Sequence, residues 1–75
     1  MATSETEISI CVKINGKDMQ LPAQMNVSDY LASRDLKERL VVVELNGTIL
    51  NRAEYSSTVI SAGDQIEIVH FVGGG

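Results

Sequence analysis

The sequence predicts an α+β domain in which one helix packs across one face of a five-stranded mixed sheet. Three observations carry that prediction: apolar residues alternate over 8–14 and again near the carboxyl end, Asn-Gly pairs close two of the extended runs, and the apolar period changes once, after residue 26. A chain of 75 residues makes one small domain and leaves no room for a second. Such a chain buries only about 60% of the surface its unfolded form exposes, so it forms one core without a deep substrate cleft. That disfavours a self-contained enzyme.

The first strand carries Ile8, Ile10, Val12 and Ile14 on one side and Ser9, Cys11 and Lys13 on the other. Asn15-Gly16 tolerates the positive φ angles of a tight type I′ turn, so the chain folds back over residues 17–21 with Met19 and Leu21 inward. Pro22 ends that pairing because it has no N–H to donate. The change of period predicts a helix over residues 27–39. Ser28 can cap its first turn, Asp29 suits its positive end, and Val27 and Leu31 stand four residues apart beside Tyr30. Ser33 and Asp35 are weak helix formers, and Leu36 belongs either to the helix or to its packed exit turn.

Residues 40–45 are apolar and largely β-branched with a single Glu44, and Asn46-Gly47 turns them into Thr48-Ile49-Leu50. Residues 51–57 read as polar and irregular, with room for one short helical turn around Ala53-Glu54-Tyr55. Ala62-Gly63-Asp64 then turns the chain into a last strand over residues 65–71, with Ile66 and Ile68 inward. Two strands, a helix and three strands, with the first and fifth strands innermost, is the arrangement of the β-grasp, whose familiar member is ubiquitin. Residues 8–71 form that domain. Residues 1–7, polar and without apolar period, read as a flexible extension, and residues 72–75 as a flexible tail.

Charge narrows the partners. Six Lys and Arg against ten Asp and Glu give a net charge of −4, which repels phosphate backbones and anionic lipid, so neither nucleic acid nor a membrane is expected. One Cys forms no internal disulfide, and one Cys with one His falls short of a structural zinc set. No apolar run approaches the ~20 residues a membrane helix needs. The chain reads as soluble and cytoplasmic, held together by packing alone.

The last four residues depart from everything before them. Val72-Gly73-Gly74-Gly75 places half of the six glycines consecutively, one residue after the last strand. Without Cβ atoms such a run enters channels too narrow for side chains, and extended it reaches roughly 13 Å beyond the sheet. Gly75 would present its carboxylate in another protein's active site, with Gly73 and Gly74 giving slim access. A carboxylate is a poor electrophile until its oxygen becomes a leaving group, so activation must come from a partner that spends a nucleotide. The competing reading is an ordinary frayed terminus.

These residues resemble the ThiS sulfur carriers of thiamine biosynthesis, within the ubiquitin-like MoaD/ThiS family, over nearly all of residues 8–75. The resemblance lies in Val12-Lys13-Ile14-Asn15-Gly16, Val27-Ser28-Asp29-Tyr30-Leu31, Val43-Glu44-Leu45-Asn46-Gly47, Gly63-Asp64-Gln65-Ile66-Glu67-Ile68-Val69 and the closing Val72-Gly73-Gly74-Gly75. Asn51-Arg52-Ala53-Glu54-Tyr55 is similar to the family's Pro-Arg-Ser-Glu-Trp, with Asn51 for Pro and Tyr55 for Trp, and the seven-residue extension is longer than members usually carry. The resemblance implies a protein co-substrate that is not itself an enzyme and binds no cofactor. A ThiF-like adenylating enzyme would join AMP to Gly75, sulfur from a cysteine desulfurase relay would displace it to leave a thiocarboxylate (1-thioglycine), and thiazole synthase (ThiG-like) would accept the sulfur.

A tail needs a docking surface. Val42, Val69 and Phe71 lie opposite the buried set near the tail root and are the candidates, unless the extension or neighbouring loops half-bury them. Asp64 and Glu67 could steer a basic partner, although a solvated face explains them as well. Cys11 has only Lys13 on its side and His70 stands in no metal-spaced set, so neither is expected to do chemistry; Lys13, Lys17 and Lys37 read as solvent-facing charges. Three alternatives remain open. The small subunit of molybdopterin synthase also resembles this design, and a ubiquitin-like modifier or a β-grasp binding module with a passive tail would share the fold.

Overall fold

The computed structural model describes residues 8–71; the extension (1–7) and the tail (72–75) lie outside the described residues. The chain forms β1 (Ser9–Ile14), β2 (Lys17–Pro22), α1 (Val27–Ser33), β3 (Val41–Leu45), β4 (Thr48–Ile49) and β5 (Gln65–His70). The sheet order is β2-β1-β5-β3-β4. β1 runs parallel to β5, and every other pairing is antiparallel. This is the predicted five-stranded mixed sheet with the last strand at its centre. Because β1 and β5 point the same way, the chain enters the sheet at the end opposite the one where β5 leaves it.

Both tight turns form as the Asn-Gly pairs demand. Asn15 and Gly16 take φ of 51° and 83°, and Asn46 and Gly47 take 52° and 89°. Glycine, and to a lesser degree asparagine and aspartate, enter that region at small steric cost, and it gives the turn the same twist as its flanking strands. The helix covers one face of the sheet, and Val27, Tyr30 and Leu31 pack with Val12, Ile14, Leu21, Val41, Val43 and Ile66.

Four local expectations change. Ile8 does not join the inward set: it precedes β1 and is 63% exposed, although its carbonyl still accepts from the Ala23 N–H at 2.9 Å. The helix cap is Asn26, not Ser28. The Asn26 carboxamide oxygen accepts from the Asp29 N–H at 2.7 Å and the Asp29 carboxylate accepts from the Asn26 N–H at 3.4 Å, a reciprocal box that frees the Ser28 hydroxyl to donate to Glu38 at 2.5 Å. The helix stops at Ser33, well short of residue 39. Asp35 swings to φ 59°, its N–H donates to the Ala32 carbonyl at 3.1 Å, and the Leu36 N–H donates to the Leu31 carbonyl at 2.8 Å. That pair of bonds closes the helix, and Leu36 packs against the core as part of the exit turn. A separate 3-10 turn occupies Glu38–Leu40.

The fourth change lies after β4. The segment read as polar and irregular, residues 51–57, makes its short helical turn at Arg52–Glu54, yet it also buries Tyr55 in the main core, and Ile60 just beyond it is buried there too. Backbone bonds tie it to the helix start: Val27 donates to Thr58 at 3.0 Å, Ser28 to Tyr55 at 3.1 Å and Ile60 to Met25 at 2.9 Å. Tyr55 therefore closes the open side of the helix layer.

Candidate functional site

β5 brings the chain to its terminus from the middle of the sheet. Its odd-numbered backbone groups face β3: the Gln65 carbonyl accepts from the Asn46 N–H at 2.7 Å, and the Phe71 N–H donates to the Leu40 carbonyl at 2.7 Å. Phe71 is thus still fastened to the sheet, one residue before the glycine segment begins. Gly73, Gly74 and Gly75, the candidate reacting group and its access, lie outside the described residues.

On the face away from the helix, the expected docking residues do come together. Val42 and Val69 are direct partners across β3 and β5, Val42 half-buried and Val69 59% exposed, and Phe71 follows on the same side at 48% exposed. Alternation puts them there, because Val41, Val43 and Ile66 take the inward positions. Register adds residues that sequence reasoning did not single out. Glu44 stands directly opposite Glu67, and Ile49, 67% exposed, stands opposite Glu44 on β4. Ile49 could have been found by carrying the face of Glu44 through the two-residue Asn46-Gly47 turn. Two carboxylates paired directly across strands repel one another, so this face favours a partner that brings a cation to them.

Asp64 has a different task from steering. One of its carboxylate oxygens accepts from the Ser61 N–H at 2.8 Å and the other from the Asn46 carboxamide at 3.0 Å, which fixes the turn into β5. Cys11 is exposed on the outer face, while the ammonium of Lys13, two residues along, is engaged by Asp18 at 3.5 Å. His70 is exposed and pairs in register with Val41. Among the described residues no three His, Cys, Asp or Glu side chains cluster as metal ligands, and no helix is long and apolar enough to cross a membrane. A surface hollow between the start of β1 and residues 20–24 is lined by no ionisable side chain among the described residues and lies at the end of the sheet away from Phe71.

A β-grasp body, a central strand that delivers the chain end, and an apolar strip beside that exit define a protein of the ubiquitin-like class. The ThiS family model matches residues 12–75, a span that includes the three terminal glycines, and the chain belongs to the ThiS family. It is 40% identical over 65 residues to the sulfur carrier protein ThiS of Bacillus subtilis, an alignment covering 85% of this chain and 98% of that protein. A thiazole synthase of Paramagnetospirillum magneticum is 37% identical over 62 residues, and there the similar segment spans 83% of this chain but 19% of the longer protein. The crystal structure of a thiamine biosynthesis protein (ThiS) from Geobacter metallireducens superposes with a TM-score of 0.75 at 32% identity, covering 88% of this chain and all of that one. The β-grasp expected from the sequence is thus the fold of the family's solved members.

Proposed function

We propose that this chain is a sulfur carrier for thiazole formation in thiamine biosynthesis, a co-substrate whose Gly75 is first adenylated and then converted to a thiocarboxylate. The observation that supports it most is that the family match spans residues 12–75, from within the first strand through Gly75. A terminal carboxylate oxygen attacks the α-phosphorus of ATP, the bond to pyrophosphate breaks, and the acyl group is left on AMP. AMP departs readily where oxide does not, so the outer sulfur of a persulfide carried by a cysteine desulfurase relay can displace it, and a thiol then cleaves the acyl disulfide so formed, leaving the thiocarboxylate on Gly75 and a disulfide on the donor. The ATP site belongs to a ThiF-like adenylating enzyme, and this chain contributes the carbonyl and its delivery.

A thiazole synthase is the proposed acceptor. The thiazole synthase of Magnetococcus marinus, like that of Paramagnetospirillum, contains a segment similar to this chain, about a fifth of its length. Joining a carrier to its acceptor in one polypeptide raises the effective concentration of each for the other, which favours the thiazole branch over a molybdopterin one. The test is intact mass after incubation with ATP, the adenylating enzyme and a sulfur donor. The expected product is the free chain heavier by the difference between sulfur and oxygen. Isopeptide-linked adducts on denaturing gels would instead mark a modifier.

Val42, Val69 and Phe71 are the proposed docking strip for the adenylating enzyme. Phe71→Asp removes the largest apolar side chain at the exit without burying a charge, since Phe71 is already half exposed. Its unfolding free energy should stay within about 0.5 kcal/mol of wild type. The KM for the chain as substrate should rise about tenfold or more, with kcat little changed. Unaltered adenylation kinetics would remove the strip from the account.

A further inference from the structure

We propose that Asn15 is a positioning residue for the tail's reaction, its side-chain amide standing in for the strand partner that β5 loses beyond Ile66. The proposal rests on the carrier reading above. β1 pairs with β5 through only Lys13 with Gln65 and Ile14 with Ile66 before the turn leads it away. The Asn15 N–H makes one more bond, donating to the Ile66 carbonyl at 2.8 Å. Odd-numbered groups of β5 face β3, so the N–H and C=O of Ile68 point toward the side that β1 has just vacated. The Asn15 carboxamide fills that place. Its oxygen accepts from the Ile68 N–H at 2.8 Å, and its nitrogen reaches the Ile68 carbonyl at 3.4 Å.

An amide side chain here imitates a peptide unit and extends the parallel ladder by one step. Ile68 is consequently the last residue at which β5 is held from both sides, since no residue of β1 is in register with His70. From there to Phe71, the last described residue, the strand is fastened by β3 alone, so on the β1 side the placement of its final residues is fixed at Ile68. The position makes two demands at once, a φ of 51° and a carboxamide, and glycine meets only the first. Aspartate tolerates the same φ and keeps the acceptor for the Ile68 N–H.

The alternative is that Asn15 only stabilises a turn, and the fold supplies its own control. Asn46 also sits at positive φ and also clamps β5, its oxygen accepting from the Gln65 N–H at 2.8 Å, but at the strand's entry, away from the tail. Full-length Asn15→Gly, Asn15→Asp and Asn46→Gly are compared by amide exchange and by the kcat and KM of AMP transfer from ATP with a ThiF-like adenylating enzyme. In Asn15→Gly the Ile68 amide should exchange roughly tenfold faster, and kcat should fall several-fold with little change in KM. Asn15→Asp, which keeps the acceptor for the Ile68 N–H but loses the donor to the Ile68 carbonyl, should restore part of both. Asn46→Gly should speed exchange at Gln65 and leave kcat at the wild-type value. Equal kcat in Asn15→Gly and wild type, or equal losses in the two glycine variants, would overturn the proposal. Failure of the carrier reading is separable: the wild-type chain itself would then accept no AMP, whatever the Ile68 exchange rate.

Discussion

Removing Gly74 and Gly75 leaves a chain that unfolds at the wild-type temperature but accepts neither AMP nor sulfur. The described fold ends its hydrogen bonding at the Phe71 N–H, so the deletion touches no strand pair and no core residue of the described domain. What it changes is reach. Each extended residue spans about 3.3–3.6 Å, so the new terminal carboxylate falls about 7 Å short of the nucleotide that must be attacked. A misplacement of 1 Å already costs on the order of 100-fold in a positioned reaction, so the expected rate is indistinguishable from background. Pyrophosphate exchange and intact mass check the loss, and circular dichroism checks the fold. A shortened chain that supported normal thiazole formation would identify a binding module with a passive tail.

Leu31→Ala lowers the unfolding midpoint by about 10–25 °C. Leu31 is fully buried between α1 and the sheet, and its carbonyl anchors the helix exit through Leu36. Truncating such a leucine costs about 2–5 kcal/mol in transfer and cavity terms, against a total stability of about 4–11 kcal/mol for a domain of this size. The one cysteine forms no disulfide, and the described residues contain no metal cluster, so nothing covalent offsets the loss. Thermal denaturation followed at far-ultraviolet wavelengths measures it. A shift under about 5 °C would mean that the helix layer collapses onto the gap and that the core is more forgiving than its burial implies.

What was legible in the residues was what is local. Alternation placed Val12, Ile14, Ile66 and Ile68 on the helix side and Val42 and Val69 on the other, and each Asn-Gly pair named its own turn. The helix was overrun by six residues because its stop signal is Asp35 in a left-handed conformation, where the usual marker is glycine. Asn26 was overlooked as the cap because Ser28 offered a plausible hydroxyl two residues later, and only the reciprocal bonds with Asp29 distinguish them. Tyr55 reads as part of a polar, irregular segment because its burial depends on meeting the start of a helix some thirty residues earlier. The Asn15 clamp on Ile68 was still less accessible, being a contact across 53 positions. At the site, the apolar strip could be read from the pleat, whereas the facing pair of Glu44 and Glu67 needed the register of β3 on β5.

The shared direction of β1 and β5 has a practical corollary for anyone handling this protein. A purification tag or a fluorescent label joined ahead of Ile8 hangs from the far pole of the sheet, a full strand length from the working end. The same cargo appended after Gly75 would replace its carboxylate with an amide, which on the proposed carrier reading removes the group that reacts, so a label meant to spare that chemistry belongs on the leading side.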